Sequence, residues 1–181
     1  IMSAFIKSMR GSDPNGTVYW LARMLVGGED IKFIARRMLI LASEDIGLAN
    51  PNALIMANNC FQAINIIGNP EARIILSETA VYLAVSPKSN STYTAINDAI
   101  SFVKKTGNLP VPLHLRNAPT KLMKDLNYGK DYGYAHAHEG NFVDLEFLPE
   151  EIKGTKFYEP GNNTTENKIA AELKKKWNGK Y

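Results

Sequence analysis

Residues 50–85 decide the fold and read NPNALIMANNCFQAINIIGNPEARIILSETAVYLAV. Asn50-Pro51 and Asn69-Pro70 each offer a side-chain acceptor followed by a proline, whose missing N–H costs nothing at the first position of a helix. Gly68 lies between the two segments, where glycine readily adopts the left-handed conformation that ends a helix. The stretch therefore predicts two consecutive helices. The second, from Ile74 to Val85, is apolar nearly all round and is expected to be buried on most sides.

Residues typical of helix starts and helix ends also occur on both sides of this stretch. Asp13-Pro14 is a third helix start, and further glycines stand where helices should stop. These stops are Gly27-Gly28, Gly47 and Gly107. The predicted connections are only a few residues long, so sequential helices are expected to pack as antiparallel hairpins. The sequence thus predicts an all-α helical bundle over residues 1–107.

Apolar residues recur every three or four positions in each predicted helix, which is the spacing of one buried helical face. The predicted stripes are Val18, Leu21, Ala22 and Leu25; Ile31, Ile34, Ala35, Met38, Leu41 and Ala42; Leu54, Ala57, Phe61 and Ile64; and Tyr93, Ile96, Ile100 and Val103. The single cysteine, Cys60, lies in the third of these helices. A buried, inert thiol is therefore predicted, and an intramolecular disulfide is excluded.

Residues 108–163 differ from the bundle in composition, because prolines alternate there with glycines and tyrosines. Only one short helix is predicted in this segment, near Thr120 to Leu126. The segment is too rich in large apolar residues for a disordered linker, so we expect an irregular but ordered extension packed on the bundle. Thr164 is expected to cap a terminal helix over residues 164–177. The second predicted domain therefore covers residues 108–181.

The composition is that of a globular protein with a real core: the chain has 181 residues, of which 45% are hydrophobic. An apolar run of roughly 20 residues, the length that crosses a bilayer, does not occur, and we expect a cytoplasmic protein. The net charge of +3 permits a nucleic-acid partner without indicating one, since such proteins usually carry a concentrated basic face. Helical residues follow Ile1 at once, so we expect the chain to be part of a longer protein.

A phosphate-binding loop of the P-loop type is missing from the sequence. The two Gly-Lys pairs, Gly129-Lys130 and Gly179-Lys180, lack the earlier glycine and the following Ser or Thr that such a loop requires. Nucleophile motifs with a fixed local signature are missing too. We therefore predict that this chain holds no catalytic residue, no cofactor and no metal.

Two clusters of ionisable residues are candidates for a catalytic or metal site. His136, His138 and Glu139 could present two imidazoles to a metal ion, but a further ligand such as His114 would be required. The segment lacks a zinc-type helix motif, so exposed histidines are the favoured interpretation and a metal-dependent enzyme is the remote alternative. If Glu44 and Asp45 were buried, one carboxylate could act as a general acid and the other as a general base. An ion pair with neighbouring arginines is the favoured interpretation.

Basic residues offer a second line of interpretation, because several lie in or beside helix ends where charge and backbone donors could bind phosphate together. The candidate DNA-phosphate contacts are Lys7, Arg10, Arg23, Arg36, Arg37, Lys88 and Arg116. A solvated surface is the alternative. The run Lys174-Lys175-Lys176 is typical of a solubilising helix end, with a nucleic-acid contact as the second interpretation.

Long and specific blocks of sequence run through the predicted bundle. They are SAFIKSMRGSDP (3–14), YWLARM (19–24), GED (28–30), FIARR (33–37), ASEDIGLA (42–49), PEA (70–72), YLA (82–84) and PKSN (87–90). These blocks resemble the region that follows the ATPase module in the RarA/MgsA family of AAA+ ATPases, related to the eukaryotic Werner-helicase-interacting ATPases. Weaker likeness continues at 112–116, 128–129 and 157–160. Residues 134–137 depart from the family, which often has Tyr-Pro-His-Asp where this chain has Tyr-Ala-His-Ala.

The resemblance implies a helical collar like that of clamp-loader subunits, which forms a homotetramer and follows an AAA+ module that binds ATP and Mg²⁺. It also implies DNA-dependent ATP hydrolysis in replication, recombination and repair at stalled forks. Single-stranded-DNA-binding protein is an implied partner, and the nucleoid an implied location. The family's Walker motifs have no matching positions here. The leading prediction is a non-catalytic assembly domain, and a DNA-binding module is the main alternative.

Overall fold

A computed structural model describes residues 1–177 and 179–181 of the chain. Within those residues the secondary structure is entirely helical, with eight α-helices, single turns of 3₁₀- and π-helix, and no strand. The α-helices are α1 Met2–Arg10, α2 Pro14–Val26, α3 Ile31–Leu41, α4 Asn52–Ile67, α5 Ala72–Val85, α6 Ser91–Thr106, α7 Lys121–Asp125 and α8 Thr164–Lys176. The predicted all-α fold class is confirmed.

Aspartate side chains fix where α2 and α3 begin. The Asp13 carboxylate accepts a hydrogen bond from the Gly16 N–H at 3.0 Å, and Pro14 occupies the first helical position, as predicted. The Asp30 carboxylate accepts from the Lys32 N–H at 2.9 Å at the start of α3. Each cap satisfies a backbone donor that the helix itself leaves unpaired, which stabilises a helix by about 1 kcal/mol.

Asn50 does not cap α4, and that prediction is wrong. Its side-chain amide donates to the Tyr82 hydroxyl at 3.0 Å and to the Ser86 hydroxyl at 3.1 Å. These contacts join the start of α4 to the end of α5. The side chain is therefore used in tertiary packing, and α4 begins at Asn52 without a side-chain cap.

Two other predicted helix starts are displaced. The first N–H of α5 bonds to the Gly68 carbonyl at 2.9 Å, so the helix begins beyond Asn69-Pro70. At α8, Thr164 is the first helical residue rather than the cap. The Asn163 side chain accepts from the Glu166 N–H at 2.9 Å and donates to the Glu166 carboxylate at 2.6 Å. This reciprocal pair caps the helix one residue earlier than predicted, and it differs from a capping box in that the carboxylate accepts from the Asn163 side chain rather than from its backbone N–H.

The chain forms two compact units. The first unit comprises Ile1–Asn97 and Tyr158–Ile169, and the second comprises Asp98–Phe157 and Ala170–Tyr181. The predicted domain boundary at residue 107 stays a prediction. None of the described helices is long and apolar enough to cross a membrane.

The core of the first unit lies between α1, α2, α3, α4 and α5. α5 packs against α1, α2 and α4, while α3 packs on α4. The sequential pairs α1–α2, α3–α4 and α4–α5 are neighbours as predicted, whereas α2 packs mainly on α1 and α5. The largest apolar side chains of this core are Phe5, Met9, Leu21, Ile34, Met38, Leu41, Ile46, Ile64, Leu76 and Leu83. Burial of each such side chain contributes about 1.5–3 kcal/mol relative to leaving it in water.

Two predicted apolar stripes are rotated relative to the core. Leu54 in α4 and Val18 in α2 were expected inside, yet both are exposed. The buried positions are Ala53, Ala57, Cys60 and Ile64 in α4, and Thr17, Leu21 and Met24 in α2. Small alanines allow α4 to approach its neighbours closely, and Thr17 is tolerated inside because its hydroxyl donates to the Asp13 carbonyl at 2.7 Å. The stripe in α3 and the burial of Cys60 are confirmed, and burial raises the pKa of the Cys60 thiol.

α5 and α6 leave apolar side chains in water. The predicted burial of Ile74 to Val85 is confirmed for most of the segment, since nine of its twelve residues are buried or half-buried, but the end residues Ile74 and Val85 are 59% and 61% exposed. One face of α5, including Leu76 and Leu83, is fully buried. All of α6 is described, and none of its residues is buried, although its predicted apolar spacing is present. The single chain therefore leaves apolar side chains of α5 and α6 exposed to water, outside its own core.

The second unit is built from irregular backbone and short helices. The Thr120 hydroxyl caps α7 by accepting from the Met123 N–H at 3.3 Å, which confirms the short helix predicted there. Single 3₁₀ turns occur at Leu113–Leu115, Ala135–Ala137, Glu139–Asn141 and Glu150–Ile152. The predicted terminal helix is confirmed as α8, which starts in the first unit and ends in the second.

Candidate functional site

An apolar groove lies between α3, α4 and α6 of the first unit, and we name it the α3–α6 groove. Its volume is about 540 Å³. The lining residues are Leu39, Ile40, Ser43, Glu44, Leu54, Thr92, Tyr93 and Ile96. Ile40, Leu54, Tyr93 and Ile96 are between 46% and 55% exposed. Half-exposed apolar side chains around a concave surface are typical of a protein-binding site.

The local sequence explains why these side chains point outward. Leu39, Ile40 and Leu41 are consecutive, and successive side chains on a helix are separated by about 100°. Of the three, only Leu41 is fully buried, so its neighbours are turned towards the surface. In the same way, Ala53 occupies the core position of α4 and turns Leu54 into the groove.

A π-helical turn at Ala42–Ile46 follows α3 and supplies the polar rim of the groove. The Arg10 guanidinium donates from Nε to Asp45 Oδ1 at 2.6 Å and from its terminal nitrogen to Asp45 Oδ2 at 3.1 Å. Glu44 Oε1 lies 3.8 Å from the same guanidinium. The hydrogen bond to Asp45 raises the pKa of Arg10. The predicted ion pair is confirmed, and both carboxylates are engaged in it.

A second groove, of about 420 Å³, lies between α2 and α5, and we name it the α2–α5 groove. Its lining residues are Val18, Leu21, Ala22, Leu25, Arg73, Ile74, Ser77 and Glu78. Its rim carries opposite charges, Arg73 and Glu78, and the Arg73 guanidinium also donates to the Pro70 carbonyl at 2.6 Å. The α3–α6 groove and the α2–α5 groove are thus distinct apolar concave surfaces of the first unit.

Lys88, a candidate phosphate contact, is used inside the first unit. Its ammonium group donates to the carbonyls of Leu83, Ala84 and Ser86 at 3.2, 2.8 and 2.6 Å. It also donates to the Ser12 hydroxyl at 3.1 Å. Burial lowers the pKa of Lys88. The cation therefore satisfies the unpaired carbonyls at the C-terminal end of α5, where the helix dipole favours positive charge.

The other candidate basic residues occupy different environments. In the second unit the Arg116 guanidinium donates to the Val111 carbonyl at 2.7 Å and to the Tyr128 hydroxyl at 3.1 Å. Arg23 and Arg36 lie over aromatic rings of their own helices, at 5.3 Å from the Trp20 centroid and 5.8 Å from that of Phe33. Arg37 is half-buried and its Nε finds no hydrogen-bond partner among the described residues, while Lys7 is exposed. A phosphate-binding role for this set stays a prediction.

The histidines do not converge on one another. The His136 ring lies 3.2 Å from the Asn141 side-chain oxygen, and His114 Nε2 lies 2.7 Å from the Glu146 carbonyl. Across residues 1–177 and 179–181, no group of three or more His, Cys, Asp or Glu side chains is placed to hold a metal ion. The described geometry therefore gives no support to the metal-dependent alternative.

A fully buried polar site of the first unit, centred on Glu166, was not predicted from the sequence. Glu166 is fully buried and accepts hydrogen bonds from the Ser91 hydroxyl, from the Tyr158 hydroxyl at 3.2 Å and from the Asn163 amide at 2.6 Å. Burial alone would raise the pKa of Glu166, but the hydrogen bonds from Ser89, Ser91, the Gly161 N–H and Asn163 lower it to about 2. Burial and the Glu166 charge raise the pKa of Tyr158 to about 12. The Asn-x-x-Glu spacing of a capping box was the available indication.

The chain is similar to known proteins along most of its length. The family model described as MgsA AAA+ ATPase C terminal matches residues 11–177. Replication-associated recombination protein A is 47% identical in Coxiella burnetii over 95% of the chain, and 41% identical in Escherichia coli (strain K12) over 96%. ATPase WRNIP1 of Dictyostelium discoideum is 48% identical over 88% of the chain. The chain spans only 39%, 39% and 18% of the length of these three relatives.

Proposed function

This chain belongs to the family of MgsA AAA+ ATPase C-terminal regions, and from that premise we propose that it assembles its parent protein into a homotetramer. The observation that carries the proposal is the pair of apolar grooves on the first unit. Apolar surface left in water costs about 25 cal/mol for each Å² that association would bury. The hydrophobic effect therefore favours covering these grooves with sister copies.

The presence of two different apolar grooves supports a tetramer over a dimer. A symmetric dimer needs only one self-complementary contact, whereas a tetramer of dihedral symmetry needs at least two different contacts on each chain. The α3–α6 groove and the α2–α5 groove are lined by different residues and can serve as the two contacts. An obligate interface of this kind should bury on the order of 2,000 Å² or more.

We place ATP and Mg²⁺ in the part of the parent protein that lies outside this chain. The sequence has no P-loop, and the described residues offer no cluster of three potential metal ligands, so neither group fits here. The chain itself is then non-catalytic and fixes the arrangement of the ATPase modules. ATP hydrolysis and DNA binding would then be coupled through the arrangement of the ATPase modules.

The parent protein, in this proposal, acts on DNA during replication, recombination and repair. The name replication-associated recombination protein A, given to two of the similar proteins, motivates this step. We further propose that the parent protein acts at stalled forks and binds single-stranded-DNA-binding protein. Its proposed location is the cytoplasm, on the nucleoid. Within the chain, the exposed Lys7, Arg23 and Arg36 are the better candidates for DNA phosphate, because Arg10, Lys88 and Arg116 hydrogen-bond within their own units.

The assembly proposal is tested by placing charge in the α3–α6 groove. Leu54→Glu and Ile96→Glu should each reduce the solution mass measured by light scattering, because an unpaired carboxylate cannot be buried in an apolar contact. Both positions are about half-exposed in the single chain, so the fold should survive, which circular dichroism would check.

Leu122→Glu is the matched control, because Leu122 is 68% exposed but lies on α7 in the second unit. It should leave the mass unchanged. If the two groove variants kept the mass of the unaltered tetramer, the α3–α6 groove would be eliminated as an interface. An unaltered chain that is monomeric at every concentration would remove the proposed function itself.

A further inference from the structure

Four aromatic rings meet in the second unit, and we name them the Trp177 cluster. The Trp177 ring centroid lies 4.9 Å from that of Phe142, 6.2 Å from that of Phe147 and 6.0 Å from that of Tyr181. The Lys180 ammonium lies 4.5 Å from the Trp177 ring centroid. Residues far apart in sequence are thus brought together beside the terminal lysines.

The Trp177 cluster lies at the surface. No described residue of the second unit is buried, and Phe147 and Tyr181 are 47% and 39% exposed. A cluster that served only as a small core would cover its rings. Here Phe147 and Tyr181 pack beside Trp177 and still keep 47% and 39% of their surface accessible.

Positive charge is concentrated in the same unit. The first unit contains nine Lys and Arg and nine Asp and Glu, and the second contains twelve and nine, so the whole surplus of +3 belongs to the second. Lys174, Lys175 and Lys176 form the last turn of α8, directly before Trp177, and all three are exposed. Among the described residues none of the three makes an ion pair, whereas Lys180 pairs with Glu146 at 3.1 Å.

We propose that the Trp177 cluster and Lys174-Lys175-Lys176 bind single-stranded nucleic acid. Bases stack on Phe147 and Tyr181, and phosphates are neutralised by the lysines. Exposed aromatic rings beside a basic groove or run are the combination that binds single strands, because every base has a face that stacks. A duplex keeps its bases stacked on each other, so the site should prefer single strands. This inference is independent of the assembly proposed above, since it needs only the second unit.

The first test measures stacking. Fluorescence anisotropy of a labelled oligothymidylate would be followed for Phe147→Ala/Tyr181→Ala and for the control Tyr132→Ala/Tyr134→Ala. The control removes two rings of the same unit that are 49% and 62% exposed and lie outside the Trp177 cluster. Loss of base stacking should weaken binding by about tenfold or more for the first pair and change it little for the control.

The second test measures phosphate contacts. Lys174→Glu/Lys175→Glu/Lys176→Glu is compared with Lys104→Glu/Lys105→Glu/Lys121→Glu, which changes the net charge equally at exposed lysines elsewhere in the second unit. The slope of log affinity against log salt should fall in magnitude by about 2 for the first triple variant, since each phosphate on a single strand contributes roughly 0.7. The control should keep most of the slope.

Several outcomes would overturn the inference. They are no binding of oligothymidylate at low salt, equal losses in the test and control variants, or tighter binding of a duplex of equal length. A parallel titration with oligouridylate separates DNA from RNA as the natural strand. Light scattering on each variant keeps this result distinct from the assembly proposal, because a variant that retains its mass and loses only binding concerns the Trp177 cluster alone.

Discussion

Glu166 holds a distant part of the chain onto the helices of the first unit. Its carboxylate is fully buried and accepts hydrogen bonds from Ser91, Tyr158 and Asn163. Tyr158 and Asn163 belong to residues 158–169, which rejoin the first unit and which we name the returning segment. Gly161 leaves room for this network, because a Cβ there would lie 2.7 Å from the Glu166 carboxylate and 2.9 Å from the Ser89 hydroxyl and would force one of them to shift. The returning segment is therefore an integral part of the first unit.

The stability of the protein should depend on the charge of Glu166. Its pKa is lowered from 4.5 to about 2 in the folded state, so the ionised form stabilises the fold above pH 4.5. That contribution, roughly 3 kcal/mol, is lost as the pH falls from about 4.5 to about 2, where the folded carboxylate is protonated. Glu166→Gln should lower the unfolding free energy at neutral pH and flatten its acid dependence in this range. Denaturant unfolding across pH measures both effects.

Glu159→Gln is the control for this prediction, because it removes an exposed carboxylate from the same segment. Its unfolding free energy and acid dependence should match those of the unaltered protein. If Glu166→Gln showed the same acid dependence as the control, the buried network would not be the source of the effect.

At the scale of the helix, α4 offers a matched pair of isoleucines. Ile64 is 1% exposed in the core, while Ile66, two residues later, is 83% exposed. Ile64→Ala should lower the unfolding free energy by about 3 kcal/mol through lost burial and the cavity left behind. Ile66→Ala should change it by no more than about 0.5 kcal/mol. Both variants would be measured by chemical denaturation at the same protein concentration. Equal losses of unfolding free energy would contradict the assignment of Ile64 to the core and Ile66 to the surface.

The helices and their stops could be predicted from the sequence, because local rules decide them. Pro14 and Gly68 restrict or permit backbone conformations wherever they occur, and the structure follows them. Cap residues were less predictable, since an asparagine amide serves equally well in a tertiary contact. Asn50 binds Tyr82 and Ser86, which are more than 30 residues away in sequence.

The inner faces of α2 and α4 could not be predicted for a different reason. Both helices carry apolar residues on two faces, so spacing alone cannot tell which face meets the core. Thr17 and Ala53 are inside while Val18 and Leu54 are outside. Val18 and Leu54, which their spacing had placed in the core, instead line the two grooves: Val18 lies in the α2–α5 groove and Leu54 in the α3–α6 groove.

At the scale of the whole molecule, the sequence identified candidate basic residues but not their partners. Lys88 lies 76 residues from Ser12 and Arg10 lies 35 residues from Asp45, and only the fold brings these groups together. Both cations are thereby used for internal stability. The Trp177 cluster could not be predicted from the sequence for the same reason, because Phe142 and Phe147 contact Trp177 only in the folded second unit.

We propose that this chain alone assembles through apolar contacts, which salt does not screen. Sedimentation equilibrium of the unaltered chain over a wide concentration range, at low and high salt, tests it most directly. A mass of four chains that persists at high salt is the predicted result. A mass of one chain at every concentration, or a tetramer that dissociates when salt is added, would contradict it.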